Sequence, residues 1–213
     1  MARKPETVSF WDRLYMWYFY RKRALEHDLP ERKVGWRSRR NQELRFGSLT
    51  RIGDLKGQRI LDLGCGLGCL YGFLVNQGWE GEYTGYDILG FMVKGAKKRY
   101  PGVQFEKRDF LASPPQRTWD YILINGVFNH KVKDNWAWIE EMVAQTMSRA
   151  EKGVAFNILV TGQGWGDEDL FYADPGELEK RANRWTGGNY RILRDYMEDD
   201  MAVHLFHPIE PSN

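Results

Sequence analysis

Cysteine is almost missing from this chain of 213 residues: there are two, Cys65 and Cys69. Thiols four positions apart could pair only with each other across a tight turn, a poor disulfide framework, and two fall short of the four-ligand set of a structural zinc or iron–sulfur site. No metal is expected, and both read as small buried thiols. Long apolar runs are missing too. Nothing approaches the roughly 18 residues that cross a bilayer, 28% of residues are charged, and no basic-then-apolar leader is visible. The expectation is an unprocessed cytoplasmic protein with no membrane span. Internal repeats and low-complexity linkers are absent as well, and a chain of this length fits one core.

Net charge is only +2, but residues 1 to 60 carry 15 Lys+Arg against 7 Asp+Glu, leaving 16 against 22 in the remainder. Such asymmetry permits attraction to nucleic acid, acidic lipid or an anionic ligand, and it equally describes a solvated helix surface. It selects no partner alone.

What is present has a clear order. Residues 8 to 27, VSFWDRLYMWYFYRKRALEH, return Phe10, Trp11, Leu14, Trp17, Tyr18 and Leu25 to one helical face. Tyr15, Phe19 and Tyr20 lie off it, so this helix is expected to pack on two sides, as a pocket wall or against another subunit. Its basic residues cluster at one end, which argues against a membrane-surface helix. Pro30 and Gly35 punctuate the next segment, and WRSRRNQELRFGSLTRIGDL reads as a second helix with Leu44, Leu49 and Ile52 inward. Short apolar runs at 59–63, 83–87, 103–107, 120–124 and 154–160 then alternate with helix-length segments near 67–77, 91–99 and 134–149. Alternation of this kind means crossover connections and a parallel sheet. After Asp174-Pro175 a further helix is expected, followed by RILRDYM and MAVHLFH as an antiparallel hairpin that finishes the sheet. The piece GQGWGDED, 162–169, reads as an exposed loop.

The densest chemistry lies in ILDLGCGLGCLYGFL, 60–74, where Gly64, Gly66 and Gly68 alternate after a strand that ends near Asp62. A tight glycine turn at the carboxyl edge of a parallel sheet, opening a helix, lets a ligand approach backbone closely. A dinucleotide fingerprint would need its third glycine at position 69, which is Cys69, and a phosphate loop would need Lys followed by Ser or Thr. What remains is acidic-x-G-x-G-x-G, and here the sequence resembles the class I S-adenosylmethionine-dependent methyltransferases. The resemblance spans roughly residues 36 to 207 and implies a three-layer Rossmann-like α/β fold: a mostly parallel seven-stranded sheet, a C-terminal antiparallel hairpin and extra N-terminal helices. Residues 1–55 would form a helical lid or extension and residues 56–213 the catalytic unit, packed together as one body.

Each site residue follows from that resemblance. Asp62, Gly64, Cys65, Gly66 and Gly68 would form the floor of the S-adenosylmethionine site, and Asp87 with Ile88 in EYTGYDI would take the ribose hydroxyls. Asp109 and Phe110 in KRDF would hold the adenine; Asn125 and Gly126 in YILINGVFNH would face the methionyl part. NQELRFGSLTRIGDLKGQRILDLGCG is similar to ubiquinone-biosynthesis O-methyltransferases, which implies that Arg45 pairs with the cofactor carboxylate, with Trp36, Gln42 and Phe46 as weaker candidates for covering it. A looser similarity links GWRSRRNQELRF and GVFN to small bacterial methyltransferases of mostly unassigned substrate; one extra residue between Ser and Gln leaves the mapping of Arg37, Arg39 and Arg40 open.

Methyl transfer from a sulfonium is an in-line displacement in which positioning can supply roughly 7 to 11 kcal/mol. An acceptor hydroxyl, carboxyl or amine gains from a base or orienting group, and His130, beside Asn129, has a usable pKa for that role; the alternative is an exposed loop histidine. His204 and His207 read as structural or exposed. The double proline of base amino-methyltransferases is absent from Asn125-Gly126-Val127-Phe128, and no Cys nucleophile follows a strand. The expected acceptor is therefore an O or N atom of a small metabolite or sugar-like intermediate. RNA methylation guided by the basic segment, or a catalytically silent cofactor-binding subunit, are the alternatives, and the aromatic helix leaves a homodimer open.

Overall fold

The computed structural model describes residues 8–161 and 167–208, so most of the glycine-rich piece 162–169 lies outside the described residues; its last three, Asp167 to Asp169, form an exposed turn. Three helices lead in: α1 Phe10–Glu26, α2 Pro30–Lys33 and α3 Arg39–Thr50. An alternating core follows, comprising β1 Arg59–Leu63, α4 Cys69–Asn76, β2 Glu82–Asp87, α5 Gly90–Arg99, β3 Gln104–Lys107, β4 Trp119–Ile124, α6 Asn135–Met147 and β5 Ala150–Leu159. The chain finishes with α7 Pro175–Thr186, β6 Tyr190–Leu193 and β7 Asp200–Leu205. The expected helices and strands are present, and the elements not anticipated are the four-residue α2 between Pro30 and Gly35 and a 3-10 turn, Val127–Asn129.

All seven strands form one sheet in the order β3-β2-β1-β4-β5-β7-β6. The first five pair in parallel, while β7 runs antiparallel to both β5 and β6. Strand order reverses direction between β1 and β4, and in open α/β sheets the crevice at such a switch point takes the ligand. Alternation along each strand divides two cores between the sheet's faces. Leu61, Leu63, Ile122, Ile124 and Phe156 pack on one side with Trp138 and Ile139 of α6 and Leu178 of α7. Ile60, Tyr121, Leu123 and Ala155 pack on the other with Phe46 and Leu49 of α3, Leu74 of α4 and Val93 of α5. This is the three-layer arrangement that alternating β and α segments imply.

Helix starts are fixed by side chains. Ser9 and Asp12 form a reciprocal capping box on α1, Ser38 caps α3, Asp134 caps α6, and Asp174 caps α7 ahead of Pro175. One buried polar link ties the lead-in helices to the far end of the chain: Arg45 Nε on α3 donates to Asp200 Oδ2 on β7 at 2.7 Å, with the two side chains 4% and 0% exposed. The Tyr196 hydroxyl also donates to Asp200, and the Arg45 guanidinium lies 4.4 Å from the centre of the Trp36 ring. Burial pushes the Asp200 carboxyl up to about 6 despite Arg45, so removal from water outweighs the attraction of the pair. Such a pair adds little net stability intact but is expensive to break. Asp200→Ala is expected to cost about 3–5 kcal/mol in urea unfolding because it strands a buried guanidinium, and Arg45→Met combined with Asp200→Leu should recover most of that loss.

Candidate functional site

The glycine turn after β1 is fastened to the end of β2. The backbone N–H groups of Gly64 and Cys65 both donate to Tyr86 O, at 2.8 and 3.0 Å. Gly66 N donates to Asp87 Oδ2 at 2.8 Å, and Leu89 N donates to Asp87 Oδ1 at 2.8 Å. One carboxylate therefore holds the loop that follows β1 and the turn that follows β2. Burial raises the Asp87 carboxyl to about 6 while those two backbone donors pull it down. Beneath the loop, Asp62 is buried and raised to about 7 by desolvation, and it accepts a hydrogen bond from the Tyr83 hydroxyl.

Around this turn the structure opens one pocket with a cavity of about 170 Å³, more than tenfold the roughly 10–15 Å³ that a single water needs. Asp62, Gly64, Cys65, Gly66, Asp87, Ile88, Asp109, Phe110, Asn125, Gly126 and His130 all line it, together with Trp36, Gln42 and Phe46. Trp36, Gln42 and Phe46 come from α3 and the segment before it, and the others follow or end β1, β2, β3 and β4, whose carboxyl ends the parallel sheet brings to one edge. Asn125 is oriented by Asn157 on β5, whose Nδ2 donates to Asn125 Oδ1 at 2.9 Å while its own Oδ1 accepts from Gly126 N at 2.7 Å.

Three expected residues stand apart from the lining. Gly68 adopts φ +72°, and a Cβ there would meet the Phe105 ring at 2.7 Å, so its lack of a side chain serves the packing of the turn against β3. Arg45 is committed to Asp200, as described above, so it does not fit the expected pairing with a cofactor carboxylate. Asn129 belongs to the 3-10 turn Val127–Asn129, with its Oδ1 buried and unpartnered. The cysteines are free thiols: burial raises both, and Cys69 Sγ accepts from Arg99 Nη1 at 3.3 Å.

His130 is not an exposed loop histidine. It is 4% exposed, with Nε2 3.0 Å from the Tyr20 hydroxyl and Nδ1 without a partner. Burial pushes the imidazole down to about 4, so it is neutral near pH 7 and a weaker base than an unperturbed histidine. Tyr15, Phe19 and Tyr20 set their rings edge-on around it, at centroid distances of 6.3, 4.9 and 5.4 Å.

Those aromatics belong to α1, which lies over the pocket and contributes Arg13, Met16 and Tyr20 to its lining. Among the described residues, four hydrogen bonds or ion pairs hold α1 down. Arg13 pairs with Asp109, Tyr20 meets His130, the Tyr15 hydroxyl donates to Asp169 Oδ2 at 2.9 Å, and Lys133 N donates to Asp12 Oδ2 at 3.3 Å. Of these, Arg13 and Met16 were not anticipated, nor were Trp138 and Met142 of α6, whose i, i+4 spacing looks like any core stripe. No local signal in the sequence marks Arg13, because its partner lies 96 residues away.

The strand order, the hairpin and the acidic and amide groups at successive strand ends define the class, a Rossmann-like methyltransferase fold. A family description for a methyltransferase domain matches residues 60–149. A Mycobacterium tuberculosis protein with a methyltransferase designation is 33% identical over 144 residues, 64% of this chain and 86% of that one. The chain belongs to the class I S-adenosylmethionine-dependent methyltransferases. Among solved structures of the same fold, a complex described as DhpI-SAM-HEP aligns with a TM-score of 0.67 at 18% identity, over 93% of this chain and 99% of its own. Magnesium protoporphyrin IX methyltransferase from Synechocystis PCC 6803, with bound SAH, aligns with a TM-score of 0.63 at 15% identity, over 92% and 100%.

The packing role of Gly68 is testable. Gly68→Ala is expected to destabilise the fold by about 1–3 kcal/mol in urea unfolding, from left-handed backbone strain and the contact with Phe105.

Proposed function

We propose that this methyltransferase carries a methyl group from S-adenosylmethionine to an O or N atom of a small metabolite or sugar-like intermediate, by in-line displacement and without a metal. The observation that carries the reading is the convergence of Asp62, Asp87, Asp109 and Asn125, from four successive parallel strands, on one roofed pocket. When bound, the cofactor supplies an electrophilic methyl on a cationic sulfonium.

The residues present fit such a group. Asp87 keeps lone pairs beyond those used by Gly66 N and Leu89 N, and as a carboxylate it suits paired ribose hydroxyls. Phe110 offers an apolar wall and Asp109 an acceptor for an amino group, with Arg13 as its present partner. Asn125 and Gly126 serve the methionyl end. Asp62 and Asp87 give the loop an anionic floor that suits a cation in a dry site. His130 acts as a neutral orienting group: its free Nδ1 meets the acceptor's polar atom, and Tyr20 fixes the ring. Asn129, whose buried Oδ1 lacks a partner, lies outside the pocket lining and is assigned no contact with the acceptor. The aromatic roof excludes water, which favours near-attack geometry over hydrolysis.

Support for a small acceptor over RNA comes from the basic segment itself. Arg13, Arg39, Arg45, Arg51 and Arg59 already hold carboxylates of this chain, so much of the positive charge is neutralised internally.

Two experiments test the assignment. Asp87→Asn is expected to weaken S-adenosylhomocysteine binding by about 100-fold or more in calorimetry, from loss of charge-assisted hydrogen bonds worth roughly 1.5–3 kcal/mol each. In the wild type, because Asp87 must be ionised and takes up its proton near pH 6, affinity should fall by up to about tenfold per pH unit below that point. Unchanged affinity in both would remove Asp87 from the site. His130→Ala should lower turnover, followed as S-adenosylhomocysteine release, by roughly 10- to 100-fold. Cofactor affinity should stay intact; wild-type turnover would exclude a role for His130.

A further inference from the structure

The helix that roofs the pocket wears its apolar side outward. The residues whose spacing predicted a packed stripe are the exposed ones: Phe10 is 65% exposed, Trp11 71%, Leu14 44%, Trp17 45%, Tyr18 60% and Leu25 72%. No residue of α1 is fully buried. Its inner side carries Arg13, Met16 and Tyr20 toward the pocket, and among the described residues the outer stripe stays exposed. Contiguous exposed apolar surface of this extent marks an interaction site.

We infer that the outer face of α1 is a homodimer interface in which the roof helices of two copies pack antiparallel. Three observations favour a second copy. The first is symmetry in the sequence. About the point midway between Trp17 and Tyr18, Phe10 mirrors Leu25 and Trp11 mirrors Ala24. An isologous contact needs a surface that complements itself, and an antiparallel pair about that centre sets Phe10 of each copy against Leu25 of the other. The second is size. Taking roughly 200 Å² for a fully exposed large side chain, the six residues offer about 700 Å² per copy, close to the roughly 800 Å² per partner of a standard specific interface.

The third is charge. The exposed side carries Lys22 and Glu26, with Lys22 Nζ 3.8 Å from Glu26 Oε1, while Arg21 lies over the Phe91 ring of α5 and Arg23 over the Phe19 ring. An anionic lipid or nucleic-acid surface would call for unpaired cations along the stripe. Trp and Tyr are also the residues that dominate the buried centres of protein interfaces.

The consequence for the pocket is direct. The roof is held within one copy by the four polar contacts already described, and pairing adds an apolar anchor on its other side. This inference does not depend on which acceptor is methylated.

The test is the oligomeric state of the full chain by sedimentation equilibrium, together with hydrogen exchange of the α1 amides. The wild type should form a concentration-dependent dimer, with exchange across 10–26 slowing as dimer accumulates. Trp17→Glu with Tyr18→Glu should be monomeric, with the folded circular dichroism spectrum retained. Should that variant fail to fold, the mirror pair decides: Phe10→Lys with Leu25→Lys should separate the copies, whereas Phe10→Lys with Leu25→Glu should keep them together by pairing Lys with Glu across the interface. A wild type that stays monomeric to several hundred micromolar overturns the proposal, as does a dimer that persists in the double-glutamate and double-lysine variants. A monomer that binds anionic phosphatidylserine vesicles or a single-stranded RNA through α1 also overturns it.

Discussion

The Asp87 carboxylate is the interaction on which the rest of the site depends. A glycine turn has little preference for one conformation, and Gly64, Gly66 and Gly68 all sit at positive φ. Left to itself such a turn is an ensemble, and a ligand would bear the entropy of ordering it. Two backbone donors to Tyr86 O and one to Asp87 Oδ2 remove that freedom in advance, and the second oxygen of Asp87 fixes the turn into α5. The carboxylate is buried to do this, which raises its pKa toward 6. A group kept near its ionisation point in a dry site is poised to accept further hydrogen bonds, because each one helps stabilise the charge.

Around that anchor the pocket is built from acceptors. Asp62, Asp87 and Asp109 place three carboxyl groups on its lining, against the guanidinium groups of Arg13 and Arg108. Asp62 is raised to about 7 and Asp87 to about 6, chiefly by desolvation. A cationic ligand would relieve part of that penalty. His130 carries the opposite logic, since burial keeps it uncharged and so avoids adding a cation beside a sulfonium. A wall of Trp138, Met142 and Phe110 completes an enclosure in which charged and apolar parts of a ligand find separate surfaces.

The sheet and most of its site were legible because they rest on short-range rules. A strand ending in an acid, a glycine turn and a helix can be read from a dozen residues, and the crossover rule then carries Asp87, Asp109 and Asn125 to the same edge. The pairing of Arg45 was not legible for the opposite reason: its partner, Asp200, is 155 residues away, and nothing local distinguishes an arginine that meets a ligand from one that meets a buried acid. Gly68 looked like its two neighbours in the motif, yet its contact is with Phe105 on a strand not adjacent in sequence. The burial of His130 depends on α1, more than 100 residues upstream, folding over it. For α1 itself, the period of 3.6 identified an apolar stripe correctly and could not say which way it faced, because amphipathicity is a property of the helix and orientation a property of the whole fold.

That orientation matters for how the site works. With its apolar stripe outward, α1 is held over the pocket mainly by polar contacts, and all four have a partly exposed or exposed member. Each such contact contributes roughly 0.5–1.5 kcal/mol net, so together they hold the roof by a few kcal/mol. A roof stabilised by a well-packed apolar face would be far more firmly closed, and a ligand enclosed by Met16 and Tyr20 would leave slowly. Polar latches instead exchange readily with water, which lowers the barrier to opening while leaving the closed geometry well defined. The same Arg13 that latches the helix also occupies Asp109, so any ligand group that takes over Asp109 must compete with the roof for it. Site filling and roof position are thereby coupled through one carboxylate.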